Sequence, residues 1–162
     1  MKIYIDTREQ LPLEFKHEYV DSIEIVKLDV GDYCARFKNG YMPNVRFERK
    51  SLGDLYGTLS QGYERFKREI LFSQELDTKL IILVECSMSK VLEGYEHSKR
   101  DGESIVRQVF TLWAKYNILP VFCKNREEMS RYIIEFYSAI GRMALEELKK
   151  GKKDELRKDK KT

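Results

Sequence analysis

Phe47-Glu48-Arg49-Lys50-Ser51-Leu52-Gly53-Asp54 reads as the end of a strand running into the start of a helix. Phe47 closes a short run of strand character, and strand side chains alternate between faces, so Glu48 and Lys50 project to one side and Arg49 to the other. A carboxylate and an ammonium then stand side by side. Ser51 with Asp54 three positions on has the Ser-x-x-acid form of a capping box, which opens a helix. Upstream, Gly31-Asp32-Tyr33 leads into another short apolar run, and Lys38-Asn39-Gly40-Tyr41-Met42-Pro43-Asn44 carries the Asn-Gly and Pro punctuation of a hairpin loop. The Asp32 strand is therefore predicted to return antiparallel into the Glu48 strand and to bring the two acids together. Such a pair can hold a hard divalent cation through oxygen, with Lys50 beside it where a phosphate gathers negative charge.

Working outward, strands are predicted near residues 2–6, 23–29, 33–37, 45–49, 80–86 and 119–123, with helices filling the second half. Leu80-Ile81-Ile82-Leu83-Val84 is continuously apolar, as a central strand covered on both faces requires, and Leu119-Pro120-Val121-Phe122-Cys123 follows a helix in crossover fashion. The fold class is α/β, a mixed central sheet flanked by helices. A helix over about 62–77 seats Tyr63, Phe66 and Ile70 on the sheet. Gln61, Arg65 and Arg68 lie at i, i+4 and i+7 on its other side, either a stripe for phosphate contacts or a solvated face shared with Glu64 and Glu69. A second amphipathic helix runs from Ile105 through Phe110 and Trp113 to Tyr116. A third starts at Asn125 with Glu128 in near capping-box form, and its apolar stripe reaches Met143 and Ala144.

The 162 residues suit one domain, and 42% hydrophobic content with ten Tyr and eight Phe argues for a folded globule. No window approaches the roughly 20 apolar residues of a membrane span, and the chain starts directly on a strand, so a soluble, intracellular protein is expected, cytoplasmic if the source is a prokaryote or virus. Cys34, Cys86 and Cys123 are odd in number and widely spaced, which reads as reduced core thiols and not a Zn site. Of the net charge of +3, residues 149–162 carry eight Lys and Arg against three acids, so the preceding 148 residues stand at −2. The expected division is a body over 1–148 and a basic C-terminal tail over 149–162, read either as a phosphate-following arm or as a solvated terminus. With only His17 and His97 available, and without G-x-S-x-G, Walker-type or G-x-G-x-x-G motifs, histidine-base hydrolysis and nucleotide cofactors are not expected.

The spacing of Gly31-Asp32, fifteen intervening residues, then Glu48-Arg49-Lys50 with Asp54 four further on, resembles the signature of the XPF/Hef family of structure-specific DNA endonucleases. Ile5-Asp6-Thr7-Arg8-Glu9-Gln10 is similar to that family's opening strand and turn, and the alternation of strands and helices agrees with its nuclease domain from about Met1 to Gly141. The resemblance implies a restriction-endonuclease-like core and a metal-dependent endonuclease that hydrolyses phosphodiester bonds at branched, flap or fork DNA, in repair, recombination or viral DNA processing. It implies Mg²⁺ or Mn²⁺ held by Asp32, Glu48 and the main-chain carbonyl of Arg49, with Asp6 as the candidate third acid. Lys50 would orient the attacking water or stabilise the pentavalent phosphorus. Arg8 and Glu9 resemble the family's functional pair, and Gln61, Arg65 and Arg68 would contact DNA. A homodimer through the C-terminal helices is also implied.

Quieter readings stand beside these. Asp6 and Asp32 can be ordinary turn residues, Arg49 a structural ion-pair partner, and Asp54 only the acid of its capping box. The alternative at the level of the whole chain is a non-catalytic DNA-binding subunit of a nuclease dimer. The polar stretch Glu93 to Gly102 is expected as a mobile surface loop. The tandem helix-hairpin-helix modules and the helicase found in many members of that family are not part of this sequence.

Overall fold

The structure is a computed structural model that describes residues 1–159, with side chains through Lys150. Six strands form one sheet in the order β2-β1-β3-β4-β5-β6: β1 (Lys2–Asp6), β2 (Ser22–Val26), β3 (Tyr33–Arg36), β4 (Val45–Lys50), β5 (Lys79–Val84) and β6 (Leu119–Phe122). β3 runs antiparallel to both β1 and β4, whereas β1–β2, β4–β5 and β5–β6 are parallel. The mixed sheet and the antiparallel return from the Asp32 segment into β4 are as the sequence predicts. Pro120 lies on the edge strand β6, where one face of the ladder is unpaired and a missing N–H is tolerated.

Alternation along β4 and β5 separates two cores. Leu80, Ile82 and Val84 face the helices α1 (Leu52–Leu59), α2 (Tyr63–Glu75) and α4 (Gly102–Tyr116), packing with Leu55, Phe66, Ile70 and Val109. Val45, Phe47, Ile81 and Leu83 face the other way, onto Met129, Ile133 and Tyr137 of α5 (Arg126–Asp159). Phe47 meets Phe136 and Tyr137 edge to face at centroid distances of 5.4 and 5.5 Å, an arrangement that suits ring quadrupoles. Tyr137, fully buried, also donates its hydroxyl to the Val45 carbonyl at 2.7 Å.

Local chemistry sets the helix starts. Ser51 accepts from the Asp54 amide, Asp101 from the Ser104 amide at 2.8 Å, and Asn125 from the Glu128 amide at 2.9 Å. Glu128 reaches back past the Asn125 cap to the Lys124 amide, one residue beyond the partner of a standard capping box. α4 ends on Asn117 in the left-handed region (φ 56°), a conformation Asn tolerates better than most residues. A short helix, α3 (Met88–Leu92), capped by Ser87, was not foreseen.

Three details depart from the sequence reading. β2 ends at Val26 instead of 29, because the Leu28 amide turns away to donate to the Asp6 carboxylate at 2.6 Å. Phe110 and Trp113, which mark the apolar stripe of the predicted amphipathic helix, are 40% and 46% exposed, since the stripe of α4 is wider than the surface it covers. The loop before α4 is tied to the body by Arg100, which donates to the Leu59 carbonyl and to Ser104. All three cysteines are free, Cys34 and Cys123 buried and Cys86 half-buried. Among the described residues no helix is long and apolar enough to cross a membrane. The stretch called the basic tail begins inside α5, and its side chains from residue 151 lie outside the described residues, as does the whole of residues 160–162.

Asp6 fastens the end of β1. Its carboxylate, with no solvent exposure of the side chain, takes hydrogen bonds from the Leu28 amide, the Arg8 amide and the Arg8 guanidinium. Burial opposes its charge, but these donors outweigh it and hold the acid below its ordinary value. A depressed carboxylate contributes stability above its unfolded pKa of 3.8 and loses that contribution as pH falls through the lower folded value. Asp6→Ala is expected to cost about 2–4 kcal/mol at pH 7, by stranding buried donors. The gap from wild type should narrow below about pH 4; urea midpoints of both proteins at pH 7 and pH 3 check this.

Candidate active site

Gly31 makes the approach to the site. It sits at φ +72°, and a Cβ there would lie 2.9 Å from Arg46 Cβ and 3.1 Å from the Phe47 carbonyl, so both backbone angle and space call for glycine. The next residue, Asp32, then bridges two strands. Its amide donates to the Phe47 carbonyl at 2.7 Å, its carbonyl accepts from the Asp6 amide at 2.8 Å, and its carboxylate Oδ2 accepts from the Arg49 amide at 2.7 Å. The acid is thereby clamped beside β4.

Glu48 and Lys50 share the face of β4 opposite Phe47, and Lys50 Nζ lies 2.6 Å from Glu48 Oε1. Beneath the ammonium, at 5.1 Å from its centroid, lies the ring of buried Phe66 from α2, a position that favours a cation. Burial works against the charge on Lys50, yet Glu48, Asp32 and Glu69 together raise its affinity for the proton. Asp32 moves the other way from an ordinary acid: burial first, then the charges of Glu48 and Glu9, push it up to about 8, against the pull of the Arg49 amide. These contacts engage Asp32 Oδ2 and Glu48 Oε1, leaving Asp32 Oδ1 and Glu48 Oε2 to offer a ligand.

Arg49 projects through the other face. Its guanidinium meets Glu85 at 3.1 Å and Glu9 at 3.3 Å, the latter an ionic contact, since Nε makes no directed hydrogen bond. Glu9 in turn accepts from the Leu11 amide at 2.8 Å and from the Tyr33 hydroxyl. Arg8, with 60% of its side chain exposed, is held by Asp6 and by the Leu28 carbonyl at 3.0 Å. At the start of α1 the Ser51 cap forms, but the Asp54 carboxylate accepts from Ser51 Oγ at 2.6 Å in place of the Ser51 amide that a full capping box would use.

A cleft of about 1210 Å³ opens over these groups, lined by Arg8, Glu9, Asp32, Glu48, Arg49, Lys50, Asp54, Arg65 and Arg68. Nine of the sequence-derived candidates thus converge on one surface. Asp6 and Gln61 do not line it. Asp6, expected as a third acid at a cation, has both oxygens occupied by donors of its own loop, and Gln61 precedes the first turn of α2. The sequence reading passed over Glu69, which lines the cleft and whose proton affinity is raised by burial and then by Glu48. The signal was there: Arg65, Arg68, Glu69 and Phe72 are spaced i, i+3, i+4 and i+7, the spacing of one helix face.

Among the described residues no three or more His, Cys, Asp and Glu side chains gather into a group able to hold a metal by themselves. A buried Glu48 and a half-buried Asp32, mutually repelling and each with an oxygen to spare, nevertheless fit a hard cation that keeps most of its waters. The cost of charging Asp32 there is measurable. Because Asp32 holds its proton up to about pH 8 when folded but only to 3.8 when unfolded, stability of the cation-free protein should fall as pH rises between those values. In EDTA, Asp32→Asn is expected to melt above wild type at pH 8, by roughly 3–10 °C for about 1–3 kcal/mol, the gap closing near pH 4. Thermal denaturation followed by circular dichroism reads it; equal melting at pH 8 would remove the repulsion from the account.

Comparison with known proteins places the chain by family and fold. The ERCC4 domain family model matches residues 5–136. A comparison with curated proteins finds no match. Among solved structures, XPF from Aeropyrum pernix is similar with a TM-score of 0.63 at 17% identity, over 93% of this chain and 69% of its own. XPF from Aeropyrum pernix in complex with DNA is similar with a TM-score of 0.63 at 20% identity, over 88% of this chain and 66% of its own. The chain thus spans about two thirds of the length of these structures.

Proposed function

The chain belongs to the ERCC4 domain family, with the fold of the archaeal XPF nuclease domain, and from that premise we propose that it is a divalent-metal-dependent endodeoxyribonuclease acting on branched, flap or fork DNA in repair, recombination or viral DNA processing. The observation that carries the proposal is the meeting of Asp32 and Glu48 from adjacent strands in one cleft, with Lys50 2.6 Å from Glu48. Asp32, Glu48 and the Arg49 carbonyl hold Mg²⁺ or Mn²⁺. When bound, that ion supplies Lewis acidity toward the phosphodiester and lowers the pKa of a water.

The protein's own groups do the rest. The Arg49 amide fixes Asp32, and Lys50, steadied by Glu48 and Phe66, presents positive charge toward the reacting phosphate. Arg65 and Arg68 on the exposed face of α2 contact the phosphate backbone and set its register. Glu9 and Arg8 position the loop after β1 through Arg49 and Asp6. Asp54 maintains the start of α1. DNA is the partner by analogy with the complex of Aeropyrum pernix XPF, and pairing of two copies through the C-terminal helices fits the exposed Met143, Leu145 and Leu148 of α5. The body ends near residue 148, and the basic stretch that follows is an added arm for the phosphate backbone.

Incubation of labelled duplex, flap and fork DNA with wild type and Glu48→Ala, in Mg²⁺, Mn²⁺ or EDTA, tests the reading. Wild type should cut only with a divalent ion, and the variant should lose at least about 10²-fold in rate while retaining DNA binding. Binding without cutting by wild type would replace catalysis with a DNA-binding role.

A further inference from the structure

Phe72 takes no part in holding the acids, Lys50 or the loop after β1. It is a large apolar side chain, 43% exposed, on the wall of a cleft whose other surfaces are mostly charged, and it is outside the core that α2 builds with Phe66 and Ile70. Its neighbours Leu71 and Leu76 are exposed to a similar degree but do not line the cleft. Phe72 stands four residues beyond Arg68 and seven beyond Arg65, so the ring and the two guanidiniums share one face of α2. A second apolar side chain, Leu11, 64% exposed, lines the same cleft from the loop after β1. That loop is held in place: the Leu11 amide donates to Glu9, and Arg126 of α5 donates to the Leu11 carbonyl at 2.7 Å.

Cations followed by a flat ring along one helix face match a strand that alternates phosphate and base. The arginines meet phosphates without regard to sequence, and an aromatic ring offers its face to a base, whichever base it is. A base within a duplex has both faces covered by its neighbours, so only an unpaired nucleotide can use such a surface. Resting on the nuclease reading above, we infer that Phe72 is a stacking platform for an unpaired base, with Leu11 as a second apolar contact, and that it sets the preference of this site for DNA carrying a single-stranded segment over fully paired DNA.

The test measures binding, not cutting, in the Glu48→Ala protein, with fork DNA bearing 2-aminopurine at the unpaired positions next to the junction and with a fully paired duplex of the same length. Phe72→Ala should weaken fork binding roughly tenfold and duplex binding less than twofold, and should abolish the fluorescence quenching that stacking produces. Phe72→Tyr should restore both. Because Phe72 lies at the surface, its variants are expected to melt within a few degrees of the parent. Equal weakening for fork and duplex, or unchanged quenching at every unpaired position, would overturn the role of Phe72 while leaving the nuclease reading intact. Failure of the parent protein to bind either DNA would defeat both together.

Discussion

The structure around the cleft depends on how Asp32 replaces a stretch of β-ladder. β3 and β4 pair through Tyr33 and Phe47, and two residues earlier the chain has already left strand geometry at Gly31. The Arg49 amide, which a longer β3 would have paired, is instead satisfied by the Asp32 carboxylate. A side chain doing the work of a main-chain carbonyl fixes an acid at a strand end, beside Glu48, with little rotational freedom. The same residue's own amide and carbonyl join β4 to β1. The cost of this arrangement, loss of solvent first and repulsion by Glu48 second, is seen in the raised proton affinity of Asp32. Active sites commonly store instability of this kind, because the field that penalises the empty site is the field that binds the ligand.

Arg49 shows how the two faces of one strand are divided. A guanidinium with only 6% of its side chain exposed requires carboxylate partners, and Glu9 and Glu85 provide them from different elements. Glu85 also meets Arg126 at 3.2 Å, and Arg126 reaches the Leu11 and Pro12 carbonyls. The start of α5, the loop after β1 and the centre of the sheet are thus coupled through one chain of charge-assisted contacts. Glu9 and Arg8 therefore influence the cleft by placing its walls, and their loss would be felt in the position of the loop before any reacting atom is considered.

Much of this was legible in the sequence where a local rule and the global fold agree. The Asn39-Gly40 turn, the continuous apolar run of β5 and the Ser51 cap each specify their structure from within a few residues, and together they bring Asp32 to Glu48. The parts that were not legible depend on distant partners. The extent of β2 is decided by Asp6 capturing the Leu28 amide, 22 residues away, which no periodicity encodes. Glu69 stands on a helix rich in charge, and its partial burial arises only when α2 settles against the Glu48 face. The exposure of Phe110 and Trp113 was not legible because an apolar stripe on a helix does not say how wide a surface it will meet.

Electrostatics across the cleft explains why a body of net charge −2 is compatible with the polyanionic substrate proposed for it. Net charge governs long-range encounter, and salt screens it beyond about 8–10 Å, whereas contact is governed by where each sign is placed. Glu48 is buried and Asp32 half-buried in the floor of the cleft, and Arg8, Arg65 and Arg68 are exposed at the rim against Asp29 and Asp54. A phosphate approaching α2 meets guanidiniums before carboxylates. Further in, Lys50 answers Glu48 directly, and the Phe66 ring below it limits where the ammonium can move. Glu48 then has one oxygen paired with Lys50 within the protein and one open to the cleft, so a cation entering there is drawn in by the acids, while Lys50 offsets part of the negative charge that the cleft holds without it. That division lets the same few residues remain folded without the ion and still attract it.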